Sequence, residues 1–157
     1  MALYTTELYS RCLGMITVPA SVTGTLTETT LGSITIPAGV TGNNGSYFVM
    51  SHWSFTNSAN TKTFKIQTSG GANWVNDTAT ANAVYLRPVA ALQNNTTNSQ
   101  QFYGSAGGNG FSSVTSGVST SAIDVAVQDT LSFKATLTNT GETITLVGAV
   151  LYAWFYI

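Results

Sequence analysis

Apolar and polar side chains alternate with a period of two along most of this chain, which predicts β-strands rather than helices. Tyr47, Val49, Ser51, Trp53 and Phe55 fall on one strand face, and Phe48, Met50, His52 and Ser54 on the other. Residues 63–67 alternate in the same way, as a half-buried strand does. Residues 130–137 repeat the pattern with Leu131, Phe133, Ala135 and Leu137 facing inward. Shorter strands are expected over residues 31–36, 83–89, 101–103 and 123–127, in runs rich in the strand formers Thr and Val.

Between these runs stand residues that cap turns or tolerate positive φ: Asn43-Asn44-Gly45, Asn57-Ser58-Ala59-Asn60, Ser69-Gly70-Gly71 and Asn139-Thr140-Gly141. Phe55 and Phe64 flank one of them, so residues 47–56 and 62–68 read as a hairpin. Asn139-Thr140-Gly141 joins the 131–137 strand to the C-terminal strand in the same way. Strands at regular spacing without a convincing helix predict an all-β, antiparallel, jelly-roll-like sandwich of about eight to ten strands. It forms one domain over residues 21–157, preceded by residues 1–20 as either a first strand or an arm packing on a neighbour. Residues 104–117, rich in Gly and Ser, are expected to form an exposed loop.

The C-terminal run is apolar on both faces. Period two puts Ile144, Leu146, Val150, Tyr152, Trp154 and Tyr156 on one side and Val147, Ala149, Leu151, Ala153, Phe155 and Ile157 on the other. Such a strand needs cover on both sides. A sandwich core supplies one cover; the same chain or another subunit supplies the second. Interfaces favour aromatic side chains. The candidate contact residues are therefore Leu3, Tyr4, Leu8, Tyr9, Tyr152, Trp154 and Tyr156.

Composition narrows the function. Only 7% of the residues are charged, against roughly 25% in an ordinary soluble domain. Arg11, Lys62, Lys65, Arg87 and Lys134 are scattered and the net charge is −1, so there is no basic face for nucleic acid. A charge this near zero removes the repulsion that keeps copies apart. Cys12 is the one cysteine; no disulfide within the chain is expected, and stability must come from packing or from neighbouring subunits. Residues 1–7 lack the cationic start and apolar core of a secretory signal, so synthesis in the cytoplasm is expected. The apolar run 144–157 is shorter than the ~20 residues a membrane-spanning helix needs, and no membrane partner is expected.

The repertoire for chemistry is thin. His52 has no second histidine, and no cysteine lies near it in sequence, so it is read as packed rather than metal-binding or catalytic. Asp124 and Asp129, and Asp77 with Asn73 and Asn76, lack the ligand density of a calcium loop. Gly107-Gly108-Asn109-Gly110 is not followed by the Lys-Ser/Thr of a phosphate loop. No catalytic residue, metal or cofactor is assigned. Trp74, read as lying in the loop 70–77, is the candidate sugar-stacking residue, with burial as the alternative.

Ile34-Thr35-Ile36-Pro37-Ala38-Gly39, the run 53–63 from Trp53 to Thr63, Asp129-Thr130-Leu131-Ser132-Phe133 and the run 139–146 from Asn139 to Leu146 follow one another in a familiar order. Over roughly residues 30–152 this pattern resembles the small jelly-roll virion proteins of tailed bacteriophages. These decorate or cement the head, or form head-fibre and tail appendages. The aromatic ending Tyr152-Ala153-Trp154-Phe155-Tyr156-Ile157 departs from that pattern. The resemblance implies a homotrimer on the virion exterior, binding across joints between major capsid subunits. Its alternative implication is a receptor- or glycan-binding appendage.

Overall fold

A computed structural model describes residues 8–41, 45–80, 85–96, 99–103, 119–121 and 124–156. Eleven strands lie among them: β1 (Leu8–Ile16), β2 (Ala20–Thr23), β3 (Thr29–Ile36), β4 (Ser46–Phe55), β5 (Lys62–Thr68), β6 (Asn73–Ala79), β7 (Tyr85–Thr96), β8 (Ser99–Tyr103), β9 (Ser119–Ser121), β10 (Asp129–Leu137) and β11 (Thr143–Tyr156). No helix occurs among the described residues. Every pairing is antiparallel.

One sheet runs β1-β11-β4-β7-β8-β9, with β2 also on β11; the other runs β3-β10-β5-β6. Leaving aside β2, β8 and β9, the eight remaining strands interleave as first-eighth-third-sixth and second-seventh-fourth-fifth. That order is a jelly roll. The β8 and β9 strands extend the larger sheet beyond β7. Residues 1–20 resolve in part: β1 is the first strand of the frame, paired along β11 from Leu8↔Tyr156 to Ile16↔Ala149. Leu3 and Tyr4, and the loop 104–117, lie outside the described residues.

The core is what the alternation predicts. Val49, Trp53, Phe64, Ile66, Leu131, Phe133, Ile144, Leu146 and Leu151 are fully buried between the sheets. Trp53 packs on Phe64 (centroids 5.2 Å) and Phe133 (6.5 Å), and its indole N–H donates to Ser51 Oγ at 2.9 Å. Those contacts cross from the large sheet to the small one, where burial of apolar area gives most of the stability.

Four expectations are corrected. β4 and β5 are not a hairpin, because they belong to opposite sheets. Residues 56–61 arch across the core, and Phe55 and Phe64 meet through it at 5.4 Å rather than side by side. Two alternating strands with a polar turn look alike in either arrangement, and six residues easily span the ~10 Å between sheets. The link from β10 to β11 is likewise an arch. Of the strand expected over 123–127, the described residues 124–127 turn instead, with Asp124 Oδ1 accepting from Ala126 N at 2.9 Å. A local aspartate turn outcompetes a short alternating run. Trp74 sits not in a loop but on β6, since the turn after β5 is confined to residues 69–72, with Gly71 at φ +87°.

Candidate functional site

A β-bulge decides what the closing strand presents. Register slips between Leu146 and Gly148, so Ile144 and Leu146 share the buried face with Ala149, Leu151 and Ala153. Strict period two had placed these two groups on opposite faces. The extra residue restores a one-sided strand and sends Val150, Tyr152 and Trp154 outward together. A Cβ at Gly148 would lie 3.0 Å from the Ile16 carbonyl oxygen, a tight approach to backbone.

Register then assembles the outer face of the large sheet in rows, because directly paired residues share a face. Met15, Val150 and Met50 form one row; Cys12, Tyr152 and Phe48 the next; Ser10, Trp154 and Ser46 the third. Trp154 stacks on Phe48 with centroids 5.5 Å apart and planes 6° apart, and remains 38% exposed. Met15 is 63% exposed. Below these rows Gly148 pairs with His52, and the missing side chain leaves a shallow hollow bounded by Met50, His52 and Val150. Among the described residues of β1, β4 and β11 on this face, none is Asp, Glu, Lys or Arg.

The opposite outer surface, on the small sheet, differs in kind. Thr130, Ser132, Lys134 and Thr136 on β10 flank Thr63, Lys65 and Gln67 on β5. Lys65 Nζ reaches Glu28 Oε2 at 2.5 Å, Lys134 Nζ lies 3.5 Å from Glu28 Oε1, and Lys134 also donates to Gln67 at 2.6 Å. The donation from Lys65 holds the Glu28 carboxyl below its usual range. One face is solvated and ion-paired; the other is aromatic and uncharged.

The predicted contact residues partly converge. Tyr152 and Trp154 sit together on the outer face. Tyr9 pairs with Phe155 and stacks on it at 6.3 Å, 41% exposed at the end of β1. The backbones of Leu8 and Tyr156 pair with each other at the same end. Sequence reasoning left Phe48, Met50, Met15 and Val150 out of the contact set, although the alternation of β4 puts Phe48 and Met50 together on one face.

Trp74 is 2% exposed and packs on Tyr47 at 5.8 Å. It offers no ring face to a sugar, and its role is core packing. Burial also pushes the Tyr47 hydroxyl to a higher pKa, against the effect of Thr41, whose hydroxyl donates to it at 3.2 Å. Asp129 accepts from Ser69 N (3.0 Å), Ser69 Oγ (2.5 Å) and Thr130 N (2.6 Å), and so closes a turn. Among the described residues no group of three His, Cys, Asp or Glu side chains is placed to hold a metal. Nor is any helix there long and apolar enough to cross a membrane.

A buried ionic cluster was not foreseen. Lys62 is fully buried and Glu142 is 4% exposed, with Nζ 3.3 Å from Oε1. Ser58 Oγ donates to the same oxygen, Asn60 Nδ2 does so at 3.2 Å, and Lys62 also donates to Ser58 Oγ and the Asn60 carbonyl at 2.9 Å. The signal was present in the sequence: Lys62 falls on the inward parity of Phe64 and Ile66, and Glu142 on that of Ile144 and Leu146. The cluster ties the two arches together and is structural.

No family model matches the chain, and no curated protein matches it. Among solved structures it is similar to the infectious bursal disease virus VP2 subviral particle, at 11% identity and TM-score 0.28, over 98% of this chain and 38% of that one. It is similar also to the infectious bursal disease virus Gx strain structure, at 12% identity and TM-score 0.29, over 96% of this chain and 36% of that one. The chain thus spans well under half the length of these structures. Likenesses at these scores carry no argument about function; the jelly roll rests on strand order.

Proposed function

We propose that this chain is a non-catalytic virion structural protein that decorates a phage head and strengthens it by binding across joints between major capsid subunits. The observation that carries this reading is the aromatic, uncharged outer face of β1, β11 and β4, set against a solvated face on the other sheet. A surface of half-exposed Met15, Val150, Tyr152 and Trp154 gains free energy when covered by protein, at roughly 25 cal/mol per Å² of apolar area removed from water. Such a contact, with few charges to screen, holds over a wide range of ionic strength. The sequence resemblance to small jelly-roll virion proteins supports the same reading and supplies the phage head as the setting, on the particle exterior.

The test adds purified protein to heads from which it has been stripped and counts bound copies by quantitative gel. Saturation at many copies per particle, with heads then resisting heat or chelator at harsher conditions than bare heads, is the expected result. Absence of binding, or presence at only a few copies at a tail tip, would sink the proposal. The receptor- or glycan-binding alternative loses its candidate residue with the burial of Trp74, and a glycan array is expected to be blank.

A further inference from the structure

The outer face of the large sheet carries a projection and a matching hollow on one strand. Trp154 stands proud at one end, braced by Phe48. Gly148 leaves the hollow at the other, between Met50, His52 and Val150. They are six residues apart, or about 20 Å at ~3.3 Å per residue. A twofold axis lying against the sheet and crossing β11 at Leu151, midway between them, brings each Trp154 over the hollow of the opposite copy. Both insertions form at once, which is what a self-complementary twofold interface requires.

We propose that the occupant of this face is a second copy of the chain, packed sheet against sheet with the two β11 strands antiparallel. The proposal rests on the reading of this face as a protein-binding surface and names its partner. Electrostatics permits it: the described residues of the face carry no Asp, Glu, Lys or Arg, and the whole chain has a net charge of −1. Size permits it too. With the backbone of β7 beside β1, β11 and β4, four strands about 4.8 Å apart and some eight residues long cover roughly 500 Å² in projection, and side-chain relief raises this toward the roughly 800 Å² that each partner contributes to a specific interface. A face-to-face pair is twofold and therefore stands in place of the threefold arrangement implied by the sequence resemblance. The pairing is that of the free chain: on a head, capsid protein takes the same face in place of the second copy.

Cys12 makes the geometry testable. It pairs with Tyr152, one row from the axis, and is exposed. With sheets ~10 Å apart, the two Cys12 Cα atoms lie about 12 Å from each other. That separation exceeds the ~7 Å limit of a disulfide but is within reach of a short bismaleimide. The full chain at micromolar concentration is expected to sediment at twice its 16.5 kDa mass. Bismaleimidoethane should trap a dimer on a denaturing gel, and diamide should not. Val150→Glu, which sets two carboxylates against each other near the axis, should weaken association at least tenfold. Trp154→Ser should weaken it as well. Both variants should keep the circular dichroism of the folded chain.

A monomer throughout the concentration range, a threefold mass, or a dimer indifferent to Val150→Glu would overturn the pairing. A monomeric wild type that loses head binding through Val150→Glu would assign the face to capsid protein instead. The two proposals separate cleanly. A monomer that still decorates heads removes the pairing alone, while a crosslinkable dimer that ignores heads removes the decoration role alone.

Discussion

Lys62 Nζ and Glu142 Oε1 lie 3.3 Å apart inside the protein, joining the arch between β4 and β5 to the arch between β10 and β11. Thr56 N and Thr143 O, 3.0 Å apart, and Thr138 Oγ1 and Thr61 O, 2.7 Å apart, run beside the pair. Together they close one end of the sandwich where no sheet hydrogen bonds connect the layers. Removing one partner of a buried pair leaves the other charge desolvated and uncompensated. Glu142→Gln is therefore expected to lower the urea midpoint more than any exposed-site change, with the slope of the transition preserved. Lys62→Met with Glu142→Gln should recover part of that loss.

The same carboxylate sets an acid limit. The Glu142 carboxyl is held below its ordinary value of 4.5, chiefly by the Ser58 hydroxyl that donates to it, with Asn60 and Lys62 adding to the effect. A group whose folded pKa is depressed contributes its full stabilisation above the unfolded value, and loses it as pH falls through the folded one. Urea midpoints should be level at neutral pH and fall once pH drops below about 4.5, as the linkage predicts. In Glu142→Gln the acid decline should be shallower. An identical decline in the variant would assign the effect elsewhere.

Glu28 provides the contrast. Its contacts to Lys65 at 2.5 Å and Lys134 at 3.5 Å bracket the 3.3 Å of the buried pair, but all three side chains are about a quarter to a third exposed. Exposed pairs contribute about 0–1 kcal/mol and are screened by salt. Glu28→Gln should change unfolding free energy by no more than about 1 kcal/mol, with the difference shrinking further in 0.5 M NaCl.

Gly14 lies at the bulge of β1, where that strand crosses Ile34 of β3. A Cβ at Gly14 would come within 2.7 Å of Ile34 Cγ2, a methyl fixed on the branched carbon of a buried side chain. Gly32 faces a 2.7 Å approach as well, but to Ile16 Cδ1, the free end of a side chain. Gly14→Ala should destabilise by about 1–3 kcal/mol, the usual range for overpacking. Gly32→Ala should cost less, because the Ile16 terminus can turn aside. Equal losses in chemical denaturation would contradict the distinction.

Phe64 bridges the layers, 5.2 Å from Trp53 and 5.4 Å from Phe55. Phe64→Ala should cost about 3–5 kcal/mol, as large-to-small changes at buried aromatics do. Tryptophan fluorescence during urea unfolding would read it through Trp53 itself.

Strand identity and strand faces were legible in the sequence wherever one apolar face met one polar face, as in β4, β5 and β10. Side-chain alternation is a local property, fixed by backbone geometry. Which sheet each strand joins was not legible: Asn57-Ser58-Ala59-Asn60 serves an arch as readily as a hairpin. The choice depends on which distant strand offers a buried partner. Parity failed along β11, because one inserted residue at the bulge exchanges the faces of everything after it, although an isolated glycine in a strand is a known sign.

By itself, then, the sequence determined the all-β character, the inward and outward residues of each regular strand and the shortage of reactive groups, since these follow from composition and short-range periodicity. Tertiary structure alone decided the buried Lys62–Glu142 lock, the loss of Trp74 to the core and the gathering of Met15, Phe48, Met50, Val150, Tyr152 and Trp154 on one surface. Those outcomes require strands far apart in the chain to meet in a definite register, and register is set by the packing of the whole.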